Sequence, residues 1–345
     1  MRVLVAMSGG VDSSVAAASL VEAGHEVVGA TMKLWGGPSD AGCCSVADVE
    51  DARRVAEQLG IVHHVFNFGP DFDARVVGPY VAAHARGDTP NPCVECNRHI
   101  KFDRLLDRAA KLGFDAIATG HHARVCAGPR GTWRLLRGQD GAKDQSYVLS
   151  MLGQQQLARC VFPVGELTKA QVRARAAALG LRTAAKPDSQ DVCFIAAEAG
   201  GRRGFLAERV ALTPGRVVDA ATGAQVGEVP AVQLVTVGQR RGLGVGREGR
   251  RRYALEVDVA SATVVAGEEA DLLVGGVDLA GLTWVGTPLP PGTPVAGQTG
   301  AHAPPRAATL ARGGLTWATP ERRVAPGQTV ALYDGDEVLG AGIAR

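Results

Sequence analysis

Ala6-Met7-Ser8-Gly9-Gly10-Val11-Asp12-Ser13-Ser14 is the stretch around which this 345-residue chain is organised. The apolar run Val3-Leu4-Val5-Ala6-Met7 leads into it and reads as a buried strand. An Ala-rich run from Val15 to Ala23 follows and reads as a helix that stops at Gly24. A tight turn between a strand and a helix N-terminus is an anion site, because backbone N–H groups and the positive end of the helix dipole point outward there. Gly9 and Gly10 let the backbone approach a phosphate closely. Ser8, Ser13 and Ser14 add hydroxyl donors. A bare carboxylate at Asp12 repels phosphate, and its place in the turn makes sense if it holds Mg²⁺. A Ser/Gly turn that only caps a helix leaves Asp12 unexplained.

Two common phosphate motifs are excluded. No Lys follows the glycines, as a Walker loop requires, and Gly9-Gly10 has no third Gly at dinucleotide spacing. The stretch resembles the Ser-Gly-Gly-x-Asp-Ser loop of the PP-loop ATP pyrophosphatases. That resemblance implies an enzyme that adenylates a substrate with ATP, with Ala6 to Ser13 around the phosphates.

A chain of this length holds two or three domains. Its 46% hydrophobic and 21% charged content is that of a globular protein. No stretch reaches the roughly 18 apolar residues of a membrane helix, so no membrane partner is expected. The N-terminus enters a strand directly with no signal peptide in view, and a cytoplasmic location with mostly reduced cysteines is expected. The net charge of +2 neither demands nor excludes nucleic acid.

The first 125 residues alternate strand and helix. Strands are expected at Glu26–Met32, Val62–Phe68 and Asp115–Gly120, and helices at Val46–Leu59 and Ile100–Leu112. This pattern predicts an α/β doubly wound parallel sheet, with ligands bound beyond the carboxyl ends of its strands. Met32 and Gly120 lie at such ends and are expected near the base and sugar of ATP. After about residue 205, β-rich runs (Ala231–Val237, Tyr253–Val259, Thr263–Ala266, Val330–Tyr333) alternate with Gly/Pro turns. They predict small all-β domains of barrel type. The expected division is 1–206, an ATP-binding catalytic domain; 207–272, a small central β domain; and 273–345, a C-terminal barrel.

Thr89-Pro90-Asn91-Pro92-Cys93-Val94-Glu95-Cys96-Asn97-Arg98 reads as a loop. Its C-x-x-C is open between redox pair, metal site and nucleophile. Cys193 follows Asp188-Ser189-Gln190, whereas Cys126 and Cys160 read as buried small hydrophobes. Lys143-Asp144-Gln145-Ser146-Tyr147 follows a hairpin-like stretch and reads as a polar loop able to contact nucleic acid.

Together with Met32-Lys33-Leu34-Trp35, Cys43-Cys44, Phe162-Pro163-Val164-Gly165 and Gly238-Gln239-Arg240-Arg241-Gly242, these motifs resemble the bacterial tRNA-specific 2-thiouridylase family over most of the chain. The resemblance implies ATP-dependent thiolation of the wobble uridine of tRNAs for Lys, Glu and Gln, with ATP and Mg²⁺ as cofactors. It implies Cys193 as persulfide carrier and Cys96 as nucleophile, closing a transient Cys96–Cys193 disulfide. It implies a sulfur donor such as a cysteine desulfurase or sulfur-relay protein. It implies contacts to the tRNA anticodon region from Asn91, Pro92, Cys93, His121, Lys143, Asp144, Gln145 and Gln328.

Cys93 departs from the family, many of whose members carry Asp there. Cys93, Cys96 and Cys193 together supply three thiolates, enough to ligate a [4Fe-4S] cluster with one open iron, so the persulfide and cluster routes are both expected candidates. A second departure, Gly297 to Ala303, lacks the usual basic segment, and Arg306, Arg312, Arg322 and Arg323 are the expected substitutes. The competing readings are an ATP-dependent ligase acting on a small molecule and a non-catalytic tRNA-binding or sulfur-carrier module.

Overall fold

The computed structural model describes residues 1–34, 45–188, 192–195, 200–244 and 251–345. Trp35, Cys43, Cys44, Ser189 and Gln190 lie outside the described residues.

β1 (Arg2–Ala6) runs through the turn at Ser8–Gly10 into α1 (Val11–Glu22). β2 (Glu26–Lys33), α2 (Val46–Gln58) and β3 (Val62–Asn67) follow. Helical segments then occupy Gly69–Phe72, Asp73–Val77 and Gly78–Ala85. α3 (Pro92–Cys96) continues through a π-helical stretch, Asn97–Leu105, into Leu106–Lys111. β4 (Ala116–Ala118), the hairpin β5 (Ala123–Ala127) and β6 (Trp133–Arg137), β7 (Cys160–Val161), α4 (Lys169–Ala178) and α5 (Gly201–Ala207) complete this part.

The first sheet has the order β3-β2-β1-β4-β7 and is parallel throughout. Alternate residues of β1 feed opposite faces: Leu4 and Ala6 enter one core, Val3 and Val5 the other. Both faces are buried, which is why the strand reads as a continuous apolar run rather than an alternating one. The chain moves outward from β1 to β3, then returns to the other side of β1 with β4. The order therefore reverses between β1 and β4, and the crevice beyond their carboxyl ends is where doubly wound sheets bind ligands.

A second sheet has the order β10-β11-β8-β9, built from β8 (Gly215–Asp219), β9 (Gln225–Val229), β10 (Tyr253–Asp258) and β11 (Thr263–Gly267). The third contains β12 (Leu273–Trp284), β13 (Pro294–Gln298), β14 (Arg306–Ala311), β15 (Gly314–Arg322), β16 (Thr329–Asp334) and β17 (Glu337–Ala344). The order β12-β15-β14-β13-β16-β17, with β17 pairing back to β12, closes a six-stranded barrel. The expected α/β sheet followed by barrel-type β structure is what the chain adopts.

Four local expectations are corrected. The Thr89–Arg98 stretch is a loop only to Asn91. Asn91 accepts from the backbone N–H groups of Cys93 and Val94 as an N-cap, and Pro92 takes the first helical position, so α3 begins there. α1 starts four residues early, at Val11, because the turn itself supplies its N-cap, Gly10. Ala231–Val237 holds no strand. Val232–Leu234 is a single 3₁₀ turn whose buried Gln233 side chain bonds Thr213 and Ala211, satisfying backbone groups that a strand would pair in a sheet. Cys126 is only half-buried, because the short β5–β6 hairpin leaves its own face partly open.

That hairpin also makes a connection the periodicity did not suggest. β6 pairs antiparallel with β17, extending the barrel sheet into the first part of the chain. One core runs through both: Leu4, Phe102, Leu135, Tyr147, Tyr333 and Ala341 belong to the same buried cluster. Tyr147 Oη donates to the Thr329 carbonyl at 2.8 Å in that buried seam. Removing the hydroxyl in Tyr147→Phe leaves this carbonyl without its buried donor, which costs about 1–3 kcal/mol. We expect a lower denaturant midpoint by fluorescence or circular dichroism; an unchanged midpoint would show that the seam does not depend on this bond.

Candidate nucleotide and thiol site

The crevice between the ends of β1 and β4 is a cavity of about 460 Å³, within the range of small-ligand sites. Ala6, Met7, Ser8, Gly10, Val11, Asp12, Ser13, Met32 and Gly120 all line it. Gly9 sits just behind. Its φ of +72° and its contact with the Asp48 backbone leave no room for a Cβ. A Cβ on Gly120 would lie 2.6 Å from the Ser13 nitrogen, so glycine there lets the turn after β4 press onto the start of α1. The serines organise the turn from within. Ser13 Oγ donates to the Gly10 carbonyl at 3.1 Å and accepts from the Ser8 N–H at 3.2 Å, and Ser14 Oγ donates to Gly10 at 2.8 Å. The first-turn N–H groups of α1 are left aimed at the cavity.

Asp12 is not an open metal ligand. Lys169 Nζ lies 2.8 and 2.7 Å from its two carboxylate oxygens, and His122 Nε2 lies 3.2 Å from one of them. With Nε2 donating to Asp12, His122 Nδ1 is an acceptor, buried with no hydrogen-bond partner among the described residues. Burial raises the Asp12 carboxyl, but His122 and Lys169 outweigh it and hold the carboxyl below its usual range. Lys169 also bonds Asp188 at 2.8 Å. Asp188 further receives Lys143 at 2.8 Å and Arg173 at 2.8 Å. Burial works against its ionisation, yet Lys143 and Lys169 bring its carboxyl down to about 2. Lys186 ties the other side of the turn: it reaches Asp48 at 2.6 Å, Asp51 at 2.7 Å and the Gly9 carbonyl at 3.0 Å. Among the described residues no three His, Cys, Asp or Glu side chains come together to hold a metal ion. The expected Mg²⁺ site at Asp12 is a carboxylate whose two oxygens are spanned by the Lys169 ammonium.

The expected tRNA-contact residues divide. His121 and Lys143 line the cavity. His121 is packed between the rings of Phe102 and Phe162 and bonds Thr119 at 2.6 Å. Burial, then the charges of Lys101 and His122, push its pKa well below the usual value, so it is neutral. Asp144 also reaches the cavity, but both its oxygens are engaged internally, by Arg137 at 2.7 Å, the Gly138 and Ser146 N–H groups and the Ser146 hydroxyl. Gln145 exchanges two bonds with the His122 backbone, at 2.9 and 2.8 Å. Gln328 lies on the barrel turn Pro326-Gly327-Gln328 and donates to the Thr89 carbonyl at 2.8 Å, while Thr89 N–H donates to Pro326. It braces the segment that ends at Asn91 and Pro92. Of the C-terminal arginines, Arg306 faces Glu321 and Arg322 pairs with Glu269.

Cys93, Cys96 and Cys193 are not among the residues that line the cavity. Cys93 is exposed in the first turn of α3, whereas Cys96, one turn on, is 8% exposed and belongs to the main core. Cys193 is half-buried and packs against the same core. Its neighbour Phe194 is anchored edge-on to Phe72 and Tyr80. The fold thus brings Cys96 and Cys193 to one core and turns Cys93 outward. With no three-ligand group among the described residues, the expected cluster set Cys93–Cys96–Cys193 is not assembled here.

Lys169, Lys186, Asp48 and His122 were not foreseen as site residues. A signal for Lys169 exists: Thr168-x-x-Gln171 is a capping box that places residue 169 at the first position of a helix following a strand end.

A parallel sheet with a Ser-Gly-Gly turn at its switch point, followed by a central β unit and a closed barrel, defines a PP-loop-type nucleotide-binding protein with appended β domains. Residues 1–197 match the family profile described as the tRNA methyl transferase HUP domain. Residues 203–268 match the tRNA methyl transferase PRC-barrel domain, and 312–344 the aminomethyltransferase beta-barrel domain. The tRNA-specific 2-thiouridylase MnmA of Mycobacterium avium is 47% identical over 358 residues, covering 99% of this chain and 98% of the relative. That of a Roseiflexus species is 45% identical over 374 residues, covering 100% and 99%. The chain belongs to the tRNA-specific 2-thiouridylase MnmA family. Among solved structures, the U34-tRNA thiolase NcsA of Methanococcus maripaludis aligns with a TM-score of 0.38 at 19% identity, covering 56% of this chain and 61% of that one. No helix among the described residues is long and apolar enough to cross a membrane.

Two outcomes test the site's electrostatics. A carboxyl depressed to about 2 adds stability above the ordinary value of 3.8, and that stability is lost as pH falls from there towards 2. Asp188→Asn should therefore flatten the acid limb of a stability–pH profile between those values; an unchanged slope would mean Asp188 is not so held. Burial pushes the Cys160 thiol far up and Cys93 is exposed, so iodoacetamide at neutral pH should label Cys93 roughly tenfold or more faster than Cys160. Peptide mass spectrometry checks the order, and equal rates would refute it.

Proposed function

We propose that this protein catalyses ATP-dependent 2-thiolation of the wobble uridine in tRNAs for Lys, Glu and Gln. The observation that carries the reading is the full-length match to 2-thiouridylases combined with the cavity at the β1/β4 switch point. In this reading residues 1–206 carry the chemistry, 207–272 form the central β unit and 273–345 present the barrel to tRNA.

The cavity suits ATP by size, by its N–H-rich turn and by its lysines. Met32 and Gly120 flank the nucleoside end, and the Ser8–Ser13 turn receives the phosphates. The uracil 2-oxygen attacks the α-phosphorus and pyrophosphate departs, which turns a poor leaving group into AMP. The target base leaves the anticodon stack to reach the site, as base-modifying enzymes require. A donor of the cysteine desulfurase or sulfur-relay class leaves sulfane sulfur on Cys193. The Cys96 thiolate attacks the Cys193 sulfur, closing a Cys96–Cys193 disulfide and releasing hydrosulfide. The hydrosulfide attacks C2 and displaces AMP, and an external thiol restores both cysteines. Burial of Cys96 beside the core that also carries Cys193 supports this route, because it keeps the nucleophile away from bulk oxidants while Cys193, half-exposed, meets the donor. The neutral, enclosed His121 supports a positioning role towards the base rather than a charge on phosphate.

Single-turnover thiolation of unmodified tRNA by iron-free protein, with ATP and a persulfide donor, tests the reading by nucleoside mass spectrometry. We expect 2-thiouridine from the unaltered protein and at least about a hundredfold loss in Cys96→Ser and Cys193→Ser. Product that forms only after iron and sulfide are restored would overturn the persulfide route, and no product under either condition would overturn thiolation.

A further inference from the structure

Four lysines line the cavity: Lys101, Lys143, Lys169 and Lys186. Lys186 is committed to three acceptors that hold the turn. Lys143 is the more exposed partner of Asp188. Lys169 differs from both. Its side chain is 12% exposed, and its ammonium bridges two carboxylates of the cavity wall, Asp12 beside the phosphate turn and Asp188. We propose that Lys169 is a polyphosphate-binding residue, parked on Asp12 and Asp188 until a nucleotide enters and transferred to its phosphate oxygens when it does. The inference rests on the proposed function only in taking ATP as the occupant.

Three observations carry it. First, the base of Lys169 is fixed while its tip can move. Thr168 caps α4 through Gln171, and the Lys169 backbone N–H donates to Asp140 at 2.9 Å. Beyond that anchor lie four methylenes and a point charge, a side chain suited to changing partners. Second, the exchange strands neither carboxylate. Asp188 keeps Lys143 and Arg173, and Asp12 keeps His122. A buried carboxylate deprived of its only cation would make release costly; here each has another donor. Third, without phosphate the Lys169 charge is engaged by Asp12 and Asp188, whereas a polyphosphate placed against the α1 N-terminus would lie next to the Asp12 carboxylate. That repulsion is relieved if the cation already touching Asp12 moves a short distance onto the incoming oxygens. The two aspartates thus stand in for phosphate in the nucleotide-free protein, and they pre-position the cation that phosphate will need.

Lys169→Met keeps the length and burial of the chain and removes the charge; Lys169→Arg restores a charge. Isothermal titration with ATP and separately with AMP, with thermal melting of the nucleotide-free proteins, reads the proposal. We expect Lys169→Met to weaken ATP by about 10- to 100-fold and AMP by less than about threefold, with Lys169→Arg recovering most of the loss. ATP affinity unchanged in Lys169→Met, or ATP and AMP weakened alike alongside a lower melting temperature, would overturn it and leave Lys169 as a brace between two aspartates. Failure of the unaltered protein to bind ATP would instead overturn the nucleotide reading itself.

Discussion

The reversal of strand order between β1 and β4 is the constraint on which the rest depends. Two neighbouring parallel strands whose connections leave in opposite directions cannot cover the crevice between their ends. Both turns must therefore be built to approach each other, and each uses a glycine where a Cβ has no room, Gly9 against Asp48 and Gly120 against Ser13. Everything that faces the cavity is hung from those turns. The Ser13 and Ser14 hydroxyls are spent inside the loop rather than on a ligand. That leaves the backbone N–H groups, which carry no conformational freedom to lose, as the donors at the helix start.

Charge in this crevice is arranged as a chain of shared partners rather than as isolated pairs. Asp12 shares Lys169 with Asp188, and Asp188 shares itself among three cations. Partly buried pairs of this kind cannot be counted as large stabilisers, because desolvation offsets most of their attraction. Their value is geometric: each holds one wall of the cavity at a set distance from the next. The sequence hides this network, since Asp12, Lys169 and Asp188 are separated by more than 150 positions end to end, and no local periodicity can reveal a partner that far away.

The sheet, its helices and the site turn were legible because they are local. An apolar strand, two glycines and a helix start occupy consecutive residues, and the motif's chemistry follows from its backbone. The barrel was legible as β-rich segments between Gly/Pro turns, but its closure through β12 and β17 and its extension by the β5–β6 hairpin were not, since pairing is a long-range choice. Thr89–Arg98 was misread for an instructive reason. Asn and Pro are loop residues in general but are also the best pair to begin a helix, Asn at the cap and Pro just inside it. His121 was legible as a motif residue, yet its neutrality comes from the rings of Phe102 and Phe162 that tertiary packing puts around it.

The helix begun by Asn91 connects these levels. Its cap begins the turn that carries Cys93, which is exposed, and Cys96, which is buried, and its continuation passes into the π-helical stretch Asn97–Leu105, a distortion frequent at functional sites. The segment before the cap is held from the barrel, by Gln328 and Pro326 on Thr89, and the helix after it is held by the core through Val94, Ile100 and Phe102. A shift of the barrel turn therefore cannot leave the cap untouched, because Thr89 is only two residues from Asn91. In the proposed reaction the barrel meets tRNA and the helix presents the nucleophile. The two Thr89 bonds are one hydrogen-bonded route between them, which ties the C-terminal barrel to the helix that carries Cys96.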